Sequence, residues 1–199
     1  MIYELYHTTT LINATEINRN GFKVINPPKK PLVHQHKAKN KKKPGSLGYG
    51  LYAFEDDELA EDFKEKIIGE SDIVPFQIDV ETNKILDLSC ISDLKRYNQY
   101  KRKLLKFPLY TMLTEVYGNY GEQSSLEGAI IEIYIAEVLV KKLKNNIQCV
   151  RGFTSTGVEH SAGSVVANGL EYVIKTKEII KWKWRDYHGI ELWSFRRRI

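Results

Sequence analysis

A chain of 199 residues is long enough to bury one substantial core and short for two independent domains, and an apolar fraction of 42% excludes disorder of the whole. No run approaches the roughly 18 consecutive apolar residues of a membrane span, and the most apolar helical stretch, 129–140, carries Glu132 and Glu137. The formal charge of +5 is concentrated: seven lysines crowd residues 29–43, and Arg196, Arg197 and Arg198 close the sequence. Such clusters attract phosphate backbones or acidic surfaces, or serve as solvated loops. The first residues, Met1 to Leu5, lack the basic segment and apolar run of a secretory signal, so a cytoplasmic protein without membrane contact is expected.

In chain order, residues 2–6 alternate short apolar and polar side chains and predict an opening strand. Asn13 or Thr15 can cap a helix over 14–20, which Gly21 stops. A brief extended piece is expected at 22–25, followed by a long loop over 26–48, rich in proline, lysine and glycine. Residues 48–54 read as a glycine-spaced strand. Asp56 and Asp57 then cap a helix to about Ile68, with Leu59, Ala60, Phe63 and Ile67 on one face. Strands follow at 73–80 and 84–88, helices at 91–106, 109–117 and 126–144, and closing strands at 149–154, 171–175, 179–184 and 190–195. Strands at both ends with helices between them predict one α+β domain over 1–199. The two cysteines, Cys90 and Cys149, have no clustered partners and are expected as reduced, mostly buried thiols. No metal site is expected, and His34 and His36 read as surface residues of the lysine-rich loop.

Three features carry chemistry, and each has an ordinary structural explanation. His7 ends the first strand, where histidines are commonly structural. Tyr52 lies in the glycine-spaced strand, where an aromatic ring packs a core. Glu171 opens the apolar run Tyr172, Val173 and Ile174, where a carboxylate can sit at a solvent edge.

Taken together and in this order, the three resemble the His-Tyr-Glu class of ADP-ribosyltransferases, the group of the poly(ADP-ribose) polymerases and many bacterial toxins. The resemblance is carried by Tyr6, His7 and Thr8, then Asn20, Gly21 and Phe22, then Pro27 and Pro28. Gly48, Tyr49, Gly50, Leu51 and Tyr52 follow with a helix after them, and Gly169, Leu170 and Glu171 come much later. It covers residues 1–66 and 150–181, and leaves the helical block, about 91–144, as an insertion. What it implies is a split β-sheet core with flanking helices that binds NAD⁺ as substrate. His7 would bond the adenosine-side ribose, and the backbone at Thr8 would hold the nicotinamide carboxamide. Tyr52 and Phe63 would cover the two faces of the nicotinamide ring. Glu171 would bond the other ribose and stabilise the cation that develops as the glycosidic bond loosens, as a fixed carboxylate can. Thr8 stands where many members have glycine, and Ala60 where many have a small hydroxyl residue. Gly169 replaces the Glu or Gln of arginine-modifying relatives, so an arginine acceptor is not expected.

The expected activity is mono-ADP-ribosylation of a macromolecule. Nucleic acid is the favoured acceptor because Lys39, Lys41, Lys42 and Lys43 immediately precede the Tyr52 strand. Tyr49 and Phe54 could stack bases if exposed, although burial is the commoner fate. The alternatives are a protein acceptor, an NAD⁺ glycohydrolase, and a catalytically inactive basic binding module. Small relatives of this kind are often toxins or phage-defence effectors, acting in a target cytoplasm and met by an antitoxin or inhibitor protein.

Overall fold

A computed structural model describes residues 1–28, 43–118, 125–154 and 169–181. The opening strand, β1 (Ile2–Thr10), runs four residues past its expected end because Thr8, Thr9 and Thr10 are β-branched and favour extended backbone. Thr10 then caps α1 (Leu11–Asn20), its Oγ1 accepting from the Asn13 N–H at 3.3 Å, so the helix starts before the caps read from sequence. Gly21 ends it as expected, its N–H bonding the Ile17 carbonyl at 2.7 Å. Residues 22–25 form no strand; Phe22 instead buries its ring against Phe76, centroids 4.5 Å apart.

After the loop, β2 (Leu51–Phe54) leads into α2 (Asp57–Asp62), capped by Asp56 Oδ1 on the Leu59 N–H at 3.0 Å. The helix tightens into a 3₁₀ turn over Phe63–Lys66 and does not reach Ile68. Next come β3 (Ser71–Asp79), β4 (Ile85–Asp87), α3 (Ile91–Leu104), α4 (Pro108–Tyr117) and α5 (Ser125–Tyr134), which widens into a π-helical stretch over Ile135–Val140. The strands β5 (Cys149–Thr154) and β6 (Gly169–Ile174) follow. The strand expected at 179–184 is, in its described part, a 3₁₀ turn over Lys177–Ile179 and one bridge between Ile180 and Ile78. The rest of that strand, the one expected at 190–195, and His34 and His36 lie outside the described residues.

The result is an α+β fold built on an open six-stranded sheet in the order β3-β1-β2-β6-β5-β4. The β4–β5 pair is parallel and the others antiparallel. Strand alternation sends side chains to two separate cores. On one face Leu5, Ala53, Val74, Phe76, Ile78, Tyr172 and Ile174 pack with Ala14 and Ile17 of α1. On the other, Leu86, Val150 and Val173 pack under the helical block, against Leu113, Ala129, Ile130 and Ile131. Among the described residues no helix is long and apolar enough to cross a membrane. Cys149 is buried as expected, its thiol pushed up to about 12 by burial. Cys90 is exposed, contrary to expectation, because it sits at the N-terminal boundary of α3.

Candidate active site

The site grows from the unequal edges of β1. Bonds from the Leu11 N–H to Glu70 O (2.9 Å) and from the Val80 N–H to Met1 O (3.0 Å) close the two ends of the β1–β3 ladder. Bonded positions alternate in an antiparallel ladder, so the odd residues of β1 turn their peptide groups to β3 and the even residues to β2. On that second edge the register holds one pair, Tyr6 opposite Phe54. The next position, Thr8 opposite Tyr52, is unpaired in the ladder, and His7 Nδ1 instead donates to the Tyr52 carbonyl at 2.7 Å. The side chain of one strand thus takes the acceptor of the other where backbone pairing stops. Thr8 turns its peptide groups into the resulting gap, while its Oγ1 donates to the Ala60 carbonyl at 2.7 Å.

Strand register brings Glu171 to the same place. It stands opposite Phe54 on β2 and Gly152 on β5, two register positions diagonal from Tyr52, which faces Val173. Period-two alternation puts Tyr52, Phe54, Thr8 and Glu171 on one face. His7 alternates with Leu5 on the other face, with its ring edge-on to Phe22 at 6.0 Å. His7 therefore meets Tyr52 through the gap and not across a shared face. Phe63 packs beside Phe54, centroids 5.2 Å apart, on the Glu171 side of the sheet.

Glu171 is 7% exposed, not at a solvent edge. Burial raises its pKa above the ordinary carboxylate range, opposed by the hydroxyls of Thr154 and Ser46, which favour the charged form. Thr154 Oγ1 is itself buried without a well-formed hydrogen bond among the described residues. A carboxylate so enclosed is strongly drawn to any positive charge that appears beside it.

Tyr52 holds the turn in front of this carboxylate. Its phenol donates to Gly48 O at 2.8 Å and accepts from the Leu47 N–H at 3.0 Å, and burial pushes its pKa strongly upward. The turn is pinned at Tyr49 as well. Glu132 Oε1 of α5 accepts from the Tyr49 N–H at 2.5 Å, Lys175 Nζ donates to Tyr49 O at 2.6 Å, and Lys175 and Glu132 form an ion pair. Gly48 is required between them: its φ is +104°, and a Cβ there would run into the Glu132 carboxylate. Gly128 of α5 passes so close to the Gly45 carbonyl that a methyl group would overlap it.

Sequence reasoning did not find Ser46, Thr154, Glu132 or Lys175 as site residues. The Gly-rich run around Ser46 signals a turn but says nothing of where the hydroxyl points. Tyr49 and Phe54 are 5% and 4% exposed, which removes both as base-stacking platforms. Lys43, half-buried, lies two residues before the turn, while Lys39, Lys41 and Lys42 lie outside the described residues. Among the described residues no three His, Cys, Asp or Glu side chains gather as metal ligands. Comparison of the chain with protein-family models, curated proteins and solved structures finds no match.

Proposed function

We propose that this chain cleaves NAD⁺ and transfers ADP-ribose to a macromolecule, with nucleic acid as the favoured acceptor. The observation that carries the reading is the gap between β1 and β2 with β6 on the far edge of β2. His7 bonds the Tyr52 main chain there, and the buried Glu171 lies two register positions along, opposite Phe54. Separation of β1 from β2 after one pair also agrees with the split sheet that the sequence resemblance implies.

In this reading Thr8 offers its peptide groups in the gap to the nicotinamide carboxamide, with Tyr52 and Phe63 on either side, while His7 bonds the far ribose. The bond from ribose C1′ to the pyridinium nitrogen breaks, its electron pair neutralising the ring, and nicotinamide leaves uncharged. The ribose becomes oxocarbenium-like, and the Glu171 carboxylate, short of solvent, stabilises that charge and orders the 2′-hydroxyl. A nucleophilic oxygen or nitrogen of the acceptor then bonds C1′ and releases one proton. With water in its place the same step is NAD⁺ hydrolysis.

The test is incubation with adenylate-labelled NAD⁺ and separate pools of RNA, DNA and protein. The expected outcome is nicotinamide release matched by label on nucleic acid. Label on protein alone would reassign the acceptor, free ADP-ribose alone would make the chain a glycohydrolase, and no nicotinamide release would end the reading. If the lysines steer a phosphate backbone, Lys39, Lys41 and Lys42 changed to Gln lower transfer at moderate salt. The log–log salt slope of that variant is also flatter than the wild type's by roughly 0.7 per lost contact on single strands. Lys43 is kept, because it is half-buried two residues before the turn that Tyr52 holds.

A further inference from the structure

We infer that Glu132 and Lys175 are positioning residues, which fix the turn carrying Ser46 and the Tyr52 hydroxyl contacts over Glu171, so that the helical block is part of the site. The inference deepens the proposed function and rests on it for its catalytic half. Its geometric half stands by itself.

Three observations support it. The pair is enclosed, with Lys175 and Glu132 side chains 11% and 7% exposed. A buried ion pair is a poor source of stability against an apolar pair of similar size, so its presence asks for another explanation. Secondly, both charges are aimed at the main chain of one residue: Glu132 accepts the Tyr49 N–H, and Lys175 donates to the Tyr49 carbonyl. Satisfying both main-chain groups of one residue with opposite charges fixes its position and orientation. Thirdly, the two residues come from the elements that must be kept in register. Lys175 follows β6 four residues after Glu171, and Glu132 lies in α5 of the helical block. Between them, Tyr49 is three residues from both Ser46 and Tyr52. The phenols of Tyr49 and Tyr117 add a second tie between the turn and α4.

Burial lowers the pKa of Lys175, and the carboxylate of Glu132 opposes that fall. Loss of one partner leaves the other charge buried without its counter-ion, and the turn loses one of its two anchors at Tyr49.

The experiment uses the full chain with Lys175→Met, the conservative Lys175→Arg, and the double variant Lys175→Met with Glu132→Gln. The double variant removes both charges together, and so stays folded if the single change does not. Amide exchange at Leu47 and Tyr49 is compared with exchange along β1 and β3, alongside steady-state nicotinamide release. A clamp predicts exchange at the turn faster by about tenfold or more with β1 and β3 unchanged. It also predicts kcat reduced by about tenfold or more with KM within about threefold, since a displaced catalytic group costs rate before affinity. Lys175→Arg should recover most of both. Unchanged exchange at the turn overturns the inference. Faster exchange with wild-type kcat overturns it too, because the turn would then be held for stability alone. If the wild type releases no nicotinamide, the functional reading falls, and the exchange result alone decides whether the pair is a clamp.

Discussion

The two edges of β1 behave oppositely. Towards β3 it pairs at nine consecutive positions, from Ile2↔Asp79 to Thr10↔Ser71, and the side chains below this ladder, Leu5, Val74 and Ile78, are wholly buried. Towards β2 it pairs once and then stops. A closed edge satisfies its peptide groups with its neighbour and leaves nothing for a ligand. An open edge must meet the same demand otherwise. Here a histidine ring takes the Tyr52 carbonyl of β2, while the Thr8 hydroxyl turns to the Ala60 carbonyl of α2. One strand thus serves as scaffold on one side and as wall of the site on the other.

Substitutions that damage one edge and spare the other sharpen this contrast. The largest effect is expected on the closed side. Ile78→Ala removes a fully buried side chain, and chemical denaturation should show a loss of about 3 kcal/mol. The nicotinamide release rate per folded molecule should stay near wild type. A comparable loss of rate would mean that the two edges are mechanically one.

On the open side, Glu171→Gln keeps the shape and removes the charge, and kcat for nicotinamide release should fall by roughly 10²-fold. Activity within a few-fold of wild type would take Glu171 out of the mechanism. The same variant carries a stability signature of opposite sign. The folded-state pKa of Glu171 is raised, chiefly by burial, so its protonated form is the one that folding favours. Its contribution to stability is present below the unfolded carboxylate pKa, about 4.3, and is lost as pH rises through the raised value. Glu171→Gln should therefore melt above the wild type at neutral pH, and the difference should close as the solution is acidified. A gap that widens on acidification would contradict the burial argument.

Smaller effects are expected at the aromatic walls. Tyr52→Ala and Phe63→Ala should each weaken NAD⁺ binding by about 1 kcal/mol, the scale of one aromatic contact. Tyr52→Phe isolates the hydroxyl: it keeps the ring and releases Gly48 O and the Leu47 N–H. Binding titrations with NAD⁺ separate these contributions. Full affinity in both alanine variants would show that the gap does not hold the nicotinamide ring.

Local rules explain why some of this was readable before any coordinates. The bounds of β5, Cys149–Thr154, match the expected strand, which Val150, Phe153 and Thr154 favour, and α1 stops at Gly21 because its amide can close on Ile17 there. Glu171 and Tyr52 fall on adjacent strands, a pairing that the spacing of the motifs does not show. Long-range pairing was not readable. Glu132 drew notice only as a charge unsuited to a lipid-facing helix, and Lys175 only as the end of a strand. They lie 43 residues apart, and no periodicity connects them. The early start of α1 and the π-helical stretch Ile135–Val140 also escaped, since neither carries a composition that separates it from its neighbours. Cys90 was expected inside because free cysteines usually are, but its place at a helix start decided otherwise.

The contact between Gly128 and Gly45 has a consequence for anyone seeking a hardier form of the protein. A glycine inside a helix costs about 1 kcal/mol relative to alanine, so standard stabilising practice would replace it. In α5 that replacement would drive a methyl group into the Gly45 carbonyl, at the root of the turn that Tyr52 and Glu132 hold. The helix forgoes rigidity of its own so that its backbone can lie against another backbone. Alanine at this position should therefore lower heat tolerance and turnover together.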